Sequence, residues 1–207
     1  MTNLNFTELP TAWQGFLQAC NSCRNCDLYR ERNQVVVYRG SLEAPLMIIG
    51  EGPGRQEDIE GLPFVGRSGR LLDDALLAQG FREKDYHICN IVKCRPPNNR
   101  APLPEEAQAC RRLLNAQFGL VKPQVVLLAG ASAYKYFTGR EDAISKVRGQ
   151  WIEAGPYHIL PTFHPAYILR NMSKRDELWD DLTSVRTMLE KLGFMDPQPE
   201  NSHEGNA

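Results

Sequence analysis

Apolar residues recur along the chain in short runs punctuated by glycine, proline and charge, and two periods dominate. Continuous runs at 45–50, 86–92 and 124–129, with a pair around Trp151 and 157–162, read as buried strands. Between them the spacing changes to three or four residues. It predicts helices over 68–79, stopped by Gly80, over 104–118, stopped by Gly119, a short one near 131–137, and a long amphipathic one over 174–192. In that last segment Leu178, Leu182, Val185, Leu189 and Leu192 share one face. Pro104-Glu105-Glu106 is a good helix start, because proline's fixed φ suits the first turn and the carboxylates meet the positive end of the helix dipole. A short helix over 10–20, a cysteine-rich loop and the β-rich Val35-Val36-Val37-Tyr38 precede this alternation.

Strands alternating with helices predict a sheet covered on both faces. The expected fold is a single three-layer α/β/α domain around a central, mainly parallel four-stranded sheet. No internal repeat is visible, and residues 195–207 are polar and rich in Pro, Asn and Gly, as in a disordered tail.

Length and charge narrow the picture. The 207 residues suffice for one well-buried domain. No apolar stretch is long enough to span a bilayer, and the first residues lack the basic and apolar regions of a secretory signal, so an intracellular location is expected. A formal net charge of −1 excludes a global polycation, so any nucleic-acid face must be local. Basic residues do group at Lys93, Arg95 and Arg100, at Lys146 and Arg148, and at Arg170, Lys174 and Arg175, although each group alone reads as solvated surface.

Six cysteines in a chain of this kind argue for thiolate ligands or buried thiols over disulfides. Cys23-Arg-Asn-Cys26, with Cys94 and Cys110 from later elements, suits an all-cysteine site for zinc or an iron–sulfur cluster. Cys20 forms a second, overlapping Cys-x-x-Cys pair with Cys23, and Cys89 reads as a small buried hydrophobe within a strand.

Polar residues gather where strands end. Gly50-Glu-Gly-Pro-Gly-Arg-Gln-Glu-Asp58 follows the first interior strand, Asn90 sits in the apolar run 86–92, and His164 follows the run 157–162. In open α/β sheets ligands bind at the carboxyl ends of strands, so Glu51, Asn90 and His164 are expected to converge on one crevice. An Asn amide carries an acceptor and two donors and can read a planar amide such as a pyrimidine edge. A strand-end histidine can donate to, or protonate, a leaving group. Phe64, on a Gly/Pro-flanked loop, either offers a stacking face or plugs the core.

Taken in order, GEGPGRQED, GLPFVGRSGRLLD, NIVKCRPPNNRAPLPEEAQAC, KVRG and HPAYILRN resemble the family 4 uracil-DNA glycosylases, iron–sulfur enzymes of bacteria and archaea. The resemblance runs from about Cys23 to the final helix, so it implies one glycosylase domain over 1–194 and a tail over 195–207. It implies a 4Fe-4S cluster on Cys23, Cys26, Cys94 and Cys110, from segments 20–26 and 94–110. It assigns Glu51 and His164 to catalysis, and Gly52, Glu57, Phe64 and Asn90 to the uracil, with Phe64 stacking, Asn90 reading the base edge and Glu57 near C5. Lys146, Arg148 and Arg170 are the expected phosphate contacts. Related families place a water-positioning aspartate where this chain has Gly52, and Glu51, or a water held by Asn98 or Asn99, is the expected substitute. A DNA-crosslinking relative carries a basic insertion after the Asn-containing strand. Here Lys93-Cys94-Arg95-Pro96-Pro97 runs straight on, so covalent capture of DNA is not expected.

The implied activity is DNA repair: hydrolysis of the N-glycosidic bond of a flipped-out uracil by a monofunctional enzyme that leaves an abasic site. The implied partners are uracil-containing DNA and free uracil as product, with a monomeric enzyme, no membrane, and a cytoplasmic, nucleoid-associated location. A sliding-clamp contact through either terminus has no support in the sequence. A metal-stabilised module that binds nucleotides or damaged DNA without chemistry is the competing reading, and an iron–sulfur redox carrier is a third.

Overall fold

The computed structural model describes residues 9–197; residues 1–8 and 198–207 lie outside the described residues. Six strands form one sheet: β1 (Arg39–Gly40), β2 (Leu46–Gly50), β3 (Tyr86–Asn90), β4 (Val125–Ala129), β5 (Ile152–Ala154) and β6 (Tyr157–Thr162). Their order across the sheet is β1-β3-β2-β4-β6-β5. The four central strands are parallel, with Ile48 opposite Ile88 and Leu127, and Leu127 opposite Leu160. β1 and β5 pair antiparallel to β3 and β6 and close the two edges. The four-strand expectation therefore described the parallel core; the strand expected around Trp151 is the edge strand β5, and the two-residue edge strand β1 was not expected, being too short to show a period of its own.

Alternate residues of β2 and β4 face opposite layers, as a pleated strand requires. Met47, Ile49, Val126 and Leu128 join a core built with Trp13, Phe16, Leu113 and Leu114. These come from α1 (Thr11–Asn21) and α4 (Pro104–Val121), and α5 (Ala131–Thr138) covers the same face through Ala133 and Tyr134. Leu46, Ile48, Val125 and Leu127 face the other core, against α3 (Arg67–Ala78) and α8 (Arg175–Lys191). Leu178, Leu182, Val185 and Leu189 are all buried on the expected face of α8, whereas Leu192 follows the helix end and is exposed.

Several expectations change. Val35–Tyr38 is not a strand; Val36 N–H donates to the Lys93 carbonyl instead, and sheet pairing begins at Arg39. Arg55–Glu60, inside the loop that follows β2, is a helix (α2) that starts at Gly54 and is stopped by Gly61 in the left-handed region. A further short helix, α7 (Pro165–Arg170), uses Pro165 in its first turn and His164 as its cap, and α6 (Ile144–Val147) is a single turn. Of the segment assigned to a tail, Met195 packs on the second core and the Asp196 carbonyl accepts from Arg186. The rest of it, from 198 onward, lies outside the described residues.

The connections set the position of the site. From β2 the chain moves to β3 on one side, and from β4 to β6 on the other. The carboxyl ends of β2 and β4 thus flank a topological switch point, where a crevice opens in sheets of this kind.

Candidate active site

A cavity of about 500 Å³ lies at that switch point. Glu51, Gly52, Glu57, Phe64, Asn90, His164 and Arg170 all line it, so the structure brings together seven of the residues singled out in the sequence.

Asn90 ends β3 and is only 2% exposed. It lines the crevice, and its main-chain oxygen accepts from Lys93 Nζ at 2.9 Å. Two glycines admit this arrangement. A Cβ on Gly50 would lie 2.5 Å from both Asn90 Oδ1 and Phe64 Cζ, and one on Gly69 would lie 1.8 Å from the Phe64 carbonyl oxygen. Phe64 itself is buried and holds a left-handed φ of 55°, unusual for a bulky residue. Strain of this kind costs about 1–3 kcal/mol and is retained where the surrounding packing enforces it. Its ring stacks on His164 at 5.6 Å between centroids.

His164 caps α7, with Nδ1 accepting from the Ala166 N–H at 3.1 Å. Burial, reinforced by the Arg170 guanidinium, pushes its imidazole down to about 4. The ring is therefore neutral at pH 7. With Nδ1 used as an acceptor, its proton sits on Nε2, so His164 offers the cavity a hydrogen-bond donor.

Glu51 and Glu57 behave differently. The Ser132 hydroxyl donates to Glu51 Oε2, bridging the two strand ends of the switch point and leaving Oε1 with no protein partner among the described residues. Both oxygens of Glu57 are committed to the main chain. Oε2 accepts from Gly54 N–H at 3.1 Å, and Oε1 from Val65 and Gly66 N–H at 3.1 and 2.9 Å. Glu57 thus clamps the Gly-Pro-Gly turn to the Phe64 loop, and the Gly66 amide is already engaged by it. At Gly52 a Cβ would lie 2.8 Å from Val92 Cγ2, so the backbone here sits too close for a larger side chain without movement. Asn99 also lines the cavity, its Oδ1 accepting from Arg95 Nε at 2.7 Å, whereas Asn98 does not. Ser132 carries no motif of its own in the sequence; only its place directly after the β4 run could have drawn attention to it.

The basic residues divide. Arg170 stands at the cavity and Lys146 is exposed on α6. Arg148 lies in neither position: its guanidinium pairs with Asp181, donates to the Glu177 carbonyl at 2.9 Å, and so ties the 146–149 loop to α8.

The cysteines form a second, separate centre. Cys20, Cys23, Cys26, Cys94 and Cys110 line one small cavity of about 20 Å³, while Cys89 is buried in β3. All six are free thiols. As placed, no three His, Cys, Asp or Glu side chains among the described residues are arranged to hold a metal ion. One cation is aimed at a sulfur: Arg32 Nη1 donates to Cys94 Sγ at 3.1 Å. Without a metal, burial pushes Cys20 up to about 12 and Cys110 to about 11, and raises Cys26 and Cys94. A thiolate-bound metal group would remove that penalty, because ligation deprotonates the thiol. The donor set fits such a group.

A three-layer α/β/α domain with an open crevice at its switch point belongs to the class of α/β proteins whose ligands bind outside the carboxyl ends of the strands. The sequence model of the uracil DNA glycosylase superfamily matches residues 37–183. The chain is 45% identical to a type-4 uracil-DNA glycosylase of Thermotoga maritima over 83% of this chain and 91% of that protein. It is 36% identical to one of Archaeoglobus fulgidus, over 79% and 86%. A type-5 uracil-DNA glycosylase of Pyrobaculum aerophilum is 28% identical over 61% of this chain. The chain belongs to the uracil DNA glycosylase superfamily. Among the described residues no helix is long and apolar enough to cross a membrane.

Proposed function

We propose that this protein is a DNA-repair uracil-DNA glycosylase, hydrolysing the bond between C1′ and N1 of a flipped uracil to give free uracil and an abasic site. The observation that carries this reading is Asn90, buried at the end of β3 and lining a 500 Å³ crevice together with Phe64 and His164. Uracil suits that amide: its O4 accepts and its N3–H donates, whereas cytosine presents the opposite pattern. A site with a fixed amide discriminates against such a mismatch by roughly 10⁴-fold.

Flipping costs a few kcal/mol, which phosphate contacts at Arg170 and Lys146 and stacking of uracil on Phe64 help to offset. As C1′–N1 breaks, its electron pair passes to the base and charge develops at O2. The neutral His164 Nε2–H donates there, the kind of fixed donor that stabilises developing charge most effectively. Glu51, oriented by Ser132 and with Oε1 open, steadies the cationic sugar or orients the water that adds to C1′, in the role a carboxylate has in other glycoside cleavages. Glu57 shapes the C5 side of the crevice by holding its two loops, which is where thymine's methyl must be refused.

Cys23, Cys26, Cys94 and Cys110 would hold a 4Fe-4S cluster. Its contribution is to tie the N-terminal segment to β3 and α4. Residues 1–194 then form one glycosylase domain that acts as a monomer on uracil-containing DNA.

Single-turnover reactions on oligonucleotides carrying one uracil, thymine or cytosine, followed by alkali cleavage, test the proposal. Abasic sites should form at uracil alone, with no adduct trapped by borohydride, and Asn90→Ala should lose the activity. Metal-loaded wild type that binds the DNA and releases no base would replace this reading with that of a binding module.

A further inference from the structure

A buried cation lies between the two centres. Lys93 is 1% exposed, and no carboxylate stands within ion-pair distance of it among the described residues. Its Nζ donates to the main-chain oxygen of Asn90 at 2.9 Å. Lys93 also lines the cysteine cavity. An ammonium taken out of water without a counter-charge costs several kcal/mol. A single carbonyl does not offset that. The anions within its reach are the thiolates that form when the cysteines sharing its cavity are ligated.

We propose that Lys93 is a positioning residue that joins the two centres: its ammonium is the charge partner of the thiolate-bound group, and its bond to the Asn90 carbonyl holds the end of β3 at the crevice floor. The inference rests on the reading of Cys23, Cys26, Cys94 and Cys110 as ligands. It assigns Lys93 a role outside the crevice, since it does not line that cavity. It also explains why a fully buried lysine is compatible with the fold. The charge is unbalanced only in the metal-free chain.

The test compares Lys93→Met and Lys93→Gln with wild type. Melting temperatures are measured for the loaded and the chelated protein. Charge partnership predicts a reversal of sign: Lys93→Met melts below wild type when both are loaded and above it when both are metal-free. A purely packing role predicts the same sign in both states, and that result overturns the proposal. This arm reads identically whether the thiolates hold iron or zinc, so it is separable from failure of the iron–sulfur reading, which iron and sulfide analysis of the wild type decides. If a metal-free chain does not fold, the midpoint potential of the loaded proteins decides. Removing the cation should shift it to more negative values in both variants, and an unchanged potential sinks the idea. For uracil release, Lys93→Met should lose roughly tenfold in kcat with KM little changed, whereas Lys93→Gln, which keeps a donor for the Asn90 carbonyl, should recover most of that rate. Equal rates in all three would remove the positioning role.

Discussion

The base crevice and the cysteine centre are built on opposite principles. The crevice leaves about 500 Å³ open and fixes its walls with bonds made elsewhere: Glu57 clamps two loops, Ser132 holds Glu51, and glycines 50 and 69 let Asn90 and Phe64 close in. Asn90 and His164 line it from two strand ends. The cysteine centre leaves about 20 Å³, with Arg32 donating to the Cys94 sulfur and Lys93 in its lining. A site meant to exchange its ligand stays open inside a rigid frame. A site meant to retain one surrounds it with complementary charge. Substitutions in the first should therefore cost rate with the fold retained, and substitutions in the second should cost stability first.

The largest break is expected at Asn90. Asn90→Ala should slow single-turnover uracil release by about 10³-fold, roughly 4 kcal/mol, with metal content and melting temperature near wild type. On the other side, Cys110→Ser should lose the bound metal and about 3 kcal/mol or more of stability by denaturant titration, and a variant that keeps full stability would argue against a metal there. The third test uses pH. His87 is fully buried, its Nδ1 bonded to the Ser41 carbonyl and its Nε2 to Gln117, and burial pushes it down to about 3. Because its folded value lies below the unfolded one, near 6.5, the unfolded chain binds more protons between those values. Stability is then complete above about pH 6.5 and is lost as pH falls toward 3, by about 2 kcal/mol at pH 5. Melting of the wild type and of His87→Gln across pH 7.5 to 5 checks this, the variant showing the shallower slope. The smallest effect belongs to Ser132→Ala, which should cost roughly tenfold in kcat with KM unchanged, because it frees Glu51 to rotate without removing a contact to the base.

Much of this contrast is written in local patterns. The apolar runs of β2, β3, β4 and β6 declared four parallel strands, and the polar residues at their ends already marked the crevice. What the sequence hid was short or depended on partners far away. β1 is too brief for any period, and α2 begins at Gly54 with a Glu57 side chain that could serve a helix cap, a thymine wall or, as observed, a clamp across two loops. Arg148 looks like any other loop cation until Asp181, 33 residues later, is folded against it. Lys93 reads as one of a basic cluster, since burial of a lysine within a Lys-Cys-Arg segment has no local signature. Ser132 acquires its meaning only from strand order, which puts the ends of β2 and β4 side by side.

The central claim is that the departing base meets a fixed, neutral donor at His164 and not a proton held in readiness. The nitrogen and proton NMR resonances of that imidazole, followed from pH 8 to 4 in specifically labelled enzyme, observe it directly. The account predicts a neutral ring with its proton on Nε2 throughout, titrating only near 4. A proton on Nδ1, or a titration near the ordinary histidine value, would contradict it.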